Sequence, residues 1–521
     1  MSLRNPLEST KATLPRHVIL PKPPTEGEKY SYVQRHLPVL LISSVVSLAC
    51  LTISVAHLIL LRPWLRLLVP YFAFLLIYYL ISLRVNLTSR DFDLKAHRDM
   101  VSAWTPHRFH SVDIWLPICG EDISVLSNTW HYVKKLIDAY PGVAEVFVLD
   151  DGNDPDAREV AGLFGFEYMV RPNRGWMKKA GNLRHAYENS YGEFIVILDA
   201  DFAPREDFLF ETLPYMDKDP QIGIVQTPQF FRQVPGQSWM ERGAGAVQEL
   251  FYRVVQVSQD RFEGAICAGS CALYRRAALD STGGATLTEH SEDMHTGFDL
   301  YRQGWKLRYL PIALATGICP PSPDSFLTQQ YRWCAGTMSL IGSRKFWGAR
   351  MKNTTLLCYV TGLLYYIETA VSTFAVPIIP IALLAFLPQT VRVGNYLWIA
   401  PSAIYALVVF PLWNNARYGP TSLMARSLYG WAHVFTLFDL GRHRLQSWQI
   451  TGAGGRRPTR RIWASILVWG GVTSITWIGL AIYRMATMNV LDFSFLLLIG
   501  LIYGWTTTVM PFVAKAQVTY H

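Results

Sequence analysis

Asp199 and Asp201 stand one residue apart at the end of an apolar run, Phe194-Ile195-Val196-Ile197-Leu198. Alternate residues of an extended segment point the same way, so both carboxylates can face one ligand. With diphosphate oxygens they make a site for a hard divalent cation, Mg2+ or Mn2+, although D-x-D also suits a helix N-cap with a solvated neighbour. Asp150-Asp151-Gly152 has the same setting, an apolar run and then an acidic turn. Its carboxylate can accept hydrogen bonds from a nucleotide base or ribose, and Gly152 with Asn153 would also make an ordinary strand-ending turn. Lys178-Lys179-Ala180-Gly181-Asn182 places a cation where a diphosphate needs one and a glycine where backbone must come close; a solvated basic loop is its rival. Ser291-Glu292-Asp293 offers a base for the proton of a hydroxyl nucleophile, or a helix-capping pattern. His290 and His295 lack metal-ligand spacing. Gln329, Arg332 and Trp333 share one helical face. The guanidinium can grip a diphosphate and the indole can carry a sugar ring, while Arg and Trp are equally common as anchors beside membranes.

These groups need a rigid frame. Val112–Leu116, Val146–Leu149 and Phe194–Leu198 read as buried strands with helical patterns between them. That is the grammar of a parallel α/β sheet with ligand groups at its carboxyl ends. The frame sits between hydrophobic runs. Of 521 residues, 50% are hydrophobic and 17% charged, with a net charge of +9, a balance that fits a membrane protein with basic cytoplasmic loops. No basic run is interleaved with aromatics as in nucleic-acid modules. The 7 scattered cysteines form neither a zinc pattern nor a disulfide framework. Leu37–Leu61 and Leu67–Leu83 approach the roughly 20 residues of a membrane span. Four more runs follow residue 352: Leu356–Leu387, Tyr396–Trp413, Ile462–Tyr483 and Leu491–Phe512. Six spans are thus expected. Pro377 and Pro380 predict a kink in the third, and Thr421–Leu440 reads as an amphipathic helix lying on the bilayer surface. Residues 1–36 read as a flexible cytosolic tail rather than a signal peptide.

Taken together, the clusters resemble the D, DxD, TED and QxxRW elements of processive membrane glycosyltransferases of family 2, particularly cellulose synthase catalytic subunits. Gln226-Thr227-Pro228-Gln229-Phe230-Phe231 resembles the family's QTP-x-FF segment and Lys179-Ala180-Gly181-Asn182 its KAGN segment. Gly269-Ser270 with Arg275-Arg276 resembles its acceptor-side GS…RR stretch, and Trp448-Gln449-Ile450-Thr451 its gating-loop FxVT motif.

The resemblance implies a cytosolic GT-A domain over residues 88–352, two membrane helices before it (37–87), and four after it with an interface helix and a gating loop at 441–461 (353–521). It implies a multi-pass protein of the plasma (inner) membrane that polymerises UDP-glucose into a β-glucan and moves the polymer across the bilayer. UDP would be held by Asp151, Lys179, Asp199, Gln329, Arg332 and Thr451, and the metal by Asp201 and Asp199. Asp293 would be the base, with Glu292 beside it; Trp333, Gly269 and Ser270 would meet the acceptor. A UDP-N-acetylglucosamine polymerase and a non-processive lipid glycosyltransferase are the alternatives. The sequence departs from the family at Ser291 (Thr in TED), at Trp448 and Ala453 of the gating loop, and at Pro117-Ile118-Cys119-Gly120-Glu121, where the TYNE tyrosine is missing. No PilZ-like segment follows the last run, so direct cyclic-di-GMP control through this chain is not expected.

Overall fold

The computed structural model describes residues 19–88, 91–445 and 456–509. Two apolar helices, α1 (Leu37–Leu61) and α2 (Val69–Asn86), lead into the sheet domain. There β1 (Val112–Ile118), α3 (Ile123–Ala139), β2 (Ala144–Asp150), α4 (Pro155–Phe164), β3 (Glu167–Met169), α5 (Lys178–Asn189) and β4 (Phe194–Ile197) alternate. Both faces of these strands are covered, so their sequences are nearly continuous apolar runs. Ile114 and Leu116 of β1 join Val146, Val148 and Val196 in one core, while Trp115 joins Phe147, Ile195 and Ile197 on the other face.

The chain continues through β5 (Ala203–Pro204), α6 (Phe208–Lys218), β6 (Ile222–Gln226), α7 (Trp239–Leu250), β7 (Ala272–Arg275), α8 (Glu292–Arg302), β8 (Lys306–Tyr309) and β9 (Ala315–Thr316). The main sheet has the order β3-β2-β1-β4-β7-β6-β8. β1 runs parallel to β2 (Val112 opposite Ala144) and to β4 (Val112 opposite Phe194). The expected parallel sheet is therefore mixed: β7 pairs antiparallel with β4 and with β6. Ala272, the first residue of β7, lies opposite Ile197, the last of β4, so the chain enters β7 from the carboxyl end of the sheet and needs no crossover helix. The result is a mixed seven-stranded sheet flanked by helices. β1 has neighbours of different chain order on its two sides, which opens a crevice at the carboxyl ends of the strands.

Beyond the sheet lie α9 (Pro323–Ile341), α10 (Asn353–Phe386), α11 (Ala400–Trp413), α12 (Pro420–Gly441), α13 (Arg456–Ser465), α14 (Gly471–Thr487) and α15 (Val490–Gly504). Among the described residues, five helices are long and apolar enough to cross a membrane: Leu37–Leu60, Leu65–Asn86, Asn353–Phe386, Thr459–Thr487 and Val490–Val509. The run expected as a span at Tyr396–Trp413 forms the shorter apolar helix α11, with a π-turn at Tyr405–Val409. Pro377 and Pro380 both lie inside the single helix α10.

Two local expectations are corrected. Residues 19–36 are not a free tail but lie against the sheet domain. Arg205 and Arg232 donate to the carbonyls of Pro24 and Pro23, at 2.7 and 2.9 Å, and buried Lys29 pairs with Asp207 at 2.7 Å and with Glu211. Proline-rich backbone leaves its carbonyls unused, and two arginines collect them. Nor does α12 lie on a surface. Met424, Ala425, Leu428 and Ala432 are fully buried, and the helix is wedged between α7, α9 and α10.

Candidate active site

A cavity of about 1750 Å³ opens at the carboxyl ends of β1, β2 and β4; its walls include Glu121, Asp151, Lys179, Asp199, Asp201, Glu292, Asp293, Gln329, Arg332 and Trp333. Residues from five separate stretches thus converge as the sequence predicts. Asp150 is the turn-maker: its carboxylate accepts from the N–H groups of Gly152 at 2.6 Å and Asp154 at 2.8 Å. Asp151 is held by Arg171, whose Nε and Nη2 donate to its two oxygens at 2.5 and 2.6 Å. A Cβ at Gly181 would run into that guanidinium, which is why the helix carrying Lys179 needs a glycine there.

Lys179 Nζ donates to Asp199 Oδ1 at 2.5 Å and to the Gly269 carbonyl at 3.1 Å, with Glu292 Oε1 at 3.8 Å. Burial alone would lower this ammonium, but Asp199 and Glu292 lift it above the usual lysine range. Burial, and next the charge of Asp199, pushes the Asp201 carboxyl up to about 7. Burial, and next Glu292, does the same for Asp293, to about 7, against the pull of Lys179. Ser291 precedes α8 at φ +51° with no side-chain capping bond, so the acids that begin this helix are not serving a capping box. Arg332 is desolvated, which lowers its guanidinium from the usual arginine range.

Other motif residues stand behind the wall. Ser270 is fully buried and accepts the Asp199 N–H at 2.9 Å, so it positions the D-x-D turn instead of meeting an acceptor. Gly269 lies against Asp293. Gln226 bridges the Ser270 carbonyl and the Ala268 N–H, both at 2.8 Å. Arg276 pairs with Asp113 at 2.8 Å and Arg275 donates to the Ile222 carbonyl at 2.9 Å; both brace the sheet. Thr451, with Trp448 and Ala453, lies outside the described residues.

The cavity also continues past Trp333 along Tyr365, Glu368, Thr369, Tyr405 and Arg426. Sequence reasoning passed over Glu368, although a carboxylate inside an otherwise apolar span is a functional signal by itself. Glu121, noted only as part of a departing motif, is a further wall carboxylate, and burial raises it above the ordinary glutamate range.

The profile described as glycosyl transferase family group 2 matches residues 194–412. That stretch is similar to family 2 glycosyl transferase domains. The match takes in Asp199, Asp201, Asp293, Arg332 and Trp333; Asp151 and Lys179 lie before it. The chain is 34% identical over 283 residues to cellulose synthase 1 of Komagataeibacter xylinus, covering 52% of this chain and 17% of that protein. It is 32% identical over 271 residues to the UDP-forming cellulose synthase catalytic subunit of Pseudomonas fluorescens (strain SBW25), covering 50% of this chain and 36% of that protein. The chain therefore spans well under half the length of these relatives. Among solved structures, the mannosyltransferase PcManGT from Pyrobaculum calidifontis, in complex with GDP-Man and Mn2+, is 16% identical with a TM-score of 0.47, covering 76% of this chain and 99% of that one.

Proposed function

We propose that this protein is a processive, inverting glycosyltransferase that polymerises UDP-glucose into a β-glucan and passes it through its own membrane helices, with the sheet domain on the cytosolic side of the plasma (inner) membrane. The observation that carries the reading is one continuous cavity running from Asp199, Asp201 and Asp293 past Trp333 to Tyr365 and Thr369 of the apolar helix α10.

In this reading Asp151 holds the uridine and Arg332 with Lys179 holds the diphosphate. Trp333 stacks under the terminal acceptor sugar. The acceptor hydroxyl oxygen attacks the anomeric carbon from the face opposite UDP, and its proton passes to Asp293. The bond from that carbon to the diphosphate oxygen breaks, and UDP leaves with the electron pair. An α-linked donor thereby becomes a β-linked product. Lys179 and Arg332 are already in place for the charge on the leaving group.

Among the described residues no group of three or more His, Cys, Asp or Glu side chains is arranged to hold a metal alone. Asp199 and Asp201 nonetheless both wall the cavity, and two carboxylates plus diphosphate oxygens fit Mg2+ or Mn2+. When bound there, the ion supplies further charge stabilisation to the leaving group.

The test is incubation of the detergent-solubilised protein with radiolabelled UDP-glucose and Mg2+ or Mn2+, then digestion of the product with linkage-specific glucanases. High-molecular-weight label is the expected result. Polymer from UDP-N-acetylglucosamine alone would replace the donor, and a short lipid-linked sugar would overturn processivity.

A further inference from the structure

Asp439, near the end of α12, has a buried carboxylate held by Tyr331 and Arg461. The Tyr331 hydroxyl donates to Oδ2 at 2.8 Å, Arg461 Nη1 donates to Oδ1 at 2.8 Å, and Arg461 Nη2 donates to Oδ2 as well. Tyr331 is 5% exposed and is absent from the cavity wall, whereas its neighbours Gln330 and Arg332, and Trp333 after them, form part of it. One turn before Asp439, Thr436 Oγ1 lies 3.5 Å from the Tyr331 carbonyl. Arg461 belongs to the helix that continues into the span Thr459–Thr487. Two residues on, Trp463 Nε1 donates to Asp324 Oδ1 at 2.7 Å, in the first turn of α9. Two helices, α12 and α13, therefore meet on the back of α9, directly behind the turn that faces the cavity.

We propose that Asp439 is a positioning residue: through Tyr331 and Arg461 it sets the rotation of the α9 turn that presents Arg332 and Trp333, and ties that turn to the start of a membrane span. The proposal rests on the transferase reading of Arg332 and Trp333. Helical geometry makes such a tether consequential. Successive residues are about 100° apart, so turning α9 by about 10° moves a guanidinium roughly 8 Å from its axis by more than about 1 Å. Displacements of that size in a group that orients a reactant cost about a hundredfold in rate. The hydroxyl of Tyr331 is the point of control because it hydrogen-bonds a carboxylate already fixed from the other side by a two-pronged guanidinium.

The experiment compares Tyr331→Phe, Asp439→Asn and the double variant in the full-length protein. It measures melting temperature, kcat and KM for UDP-glucose, and equilibrium binding of UDP with Mn2+. Tyr331→Phe removes one oxygen and keeps the ring. It is expected to melt close to wild type and to lose about tenfold in kcat/KM, mostly in kcat, with UDP bound severalfold more weakly. The double variant is expected to be no worse than Asp439→Asn, because both act through one bond. A purely structural tether would lower the melting temperature and leave kcat and KM of the folded protein unchanged; that result overturns the proposal, as do additive losses. If Asp439→Asn does not fold, Tyr331→Phe decides. If wild type turns over no UDP-sugar but binds UDP, the polymerase reading fails, and equal UDP affinity in Tyr331→Phe overturns this inference separately. A wild type that binds no UDP removes the transferase reading and the inference with it.

Discussion

Gly269→Ala should disable the protein through a single methyl group. Gly269 has φ +75°, and a Cβ there would lie 2.6 Å from Asp293 Oδ2 and 2.9 Å from Asp293 Cβ. Ordinary carbon contacts begin near 3.5 Å, so about 0.6–1 Å of separation must be found. Asp293 has little room to give: its Oδ1 accepts the Met294 N–H at 2.7 Å and its backbone begins α8. If Gly269 moves instead, its carbonyl drags on Lys179 Nζ, 3.1 Å away. Either route displaces Asp293, the proposed base, or Lys179, a proposed diphosphate ligand. A shift of about 1 Å costs about a hundredfold in rate, and a left-handed backbone at a non-glycine residue costs about 1–3 kcal/mol. We expect kcat for UDP release from UDP-glucose to fall about a hundredfold. Stability should drop by about 1–3 kcal/mol. UDP affinity should hold if Asp293 gives way and should fall if Lys179, a proposed diphosphate ligand, is the group displaced. Steady-state UDP release, equilibrium UDP binding and thermal melting on one preparation separate these effects. A folded Gly269→Ala protein with wild-type kcat would refute the placement of Asp293 at the reacting centre.

Asp293→Asn should abolish polymer formation while leaving UDP binding intact, and preserved synthesis would end its assignment as base. The same group dictates the pH profile. A base must be unprotonated, and Asp293 is held up at about 7, so kcat/KM should be flat above about pH 7 and fall about tenfold per unit below it; a profile flat to pH 5 would contradict this. Arg171→Ala should destabilise the protein by about 3–5 kcal/mol, because it leaves Asp151 as an uncompensated buried charge, and should raise KM for the donor; unchanged melting would argue against it. Lys29→Met leaves Glu211 and Asp207 with fewer partners and should lower the melting temperature while sparing UDP affinity, whereas unchanged melting would return residues 19–36 to the status of a dispensable tail. Chelation with EDTA should stop UDP release, and Mn2+ or Mg2+ should restore it; activity that survives exhaustive chelation would exclude the D-x-D pair as a metal site.

Much of the site was legible because its residues obey local rules. Asp199 and Asp201 follow a buried strand and Gln329, Arg332 and Trp333 share a helical face, so short-range periodicity grouped each set, and the family resemblance joined the sets that line one cavity. The sheet was legible in its alternating half and not in β7, since an antiparallel strand inside a parallel sheet leaves no mark in a four-residue apolar run such as Ala272–Arg275. Composition misjudged two segments for one reason. Residues 19–36 are polar and proline-bearing, and α12 mixes aromatic with charged residues, so each resembles a surface element. Their partners are distant in sequence: Lys29 meets Glu211, and Tyr331 meets Asp439. No local pattern records such pairings.

The same distinction separates residues that touch the cavity from residues that hold them. Ser270, Gln226 and Arg276 stand within recognisable motifs, yet each spends its hydrogen bonds on backbone or on a buried partner behind the wall. Their motifs are tight because the D-x-D turn and the Gly269 carbonyl must be fixed together for Lys179 to bridge them. A carboxylate cluster of this density would repel itself apart without that ammonium at its centre and Arg332 at its rim. Burial first, and then neighbouring carboxylates, leave two of its members, Asp201 and Asp293, with carboxyl groups near 7. In the proposed cycle that imbalance is useful. The cluster holds too much negative charge to be comfortable empty, so it favours a cationic load, and a diphosphate can enter only where Lys179 and Arg332 already face it. Charge thus selects the donor at one end of the cavity. At the other end Tyr365, Thr369 and Tyr405 offer hydroxyls and ring faces beside the oppositely charged Glu368 and Arg426. In the proposed function a neutral sugar chain passes that end without adding charge beside Glu368 and Arg426.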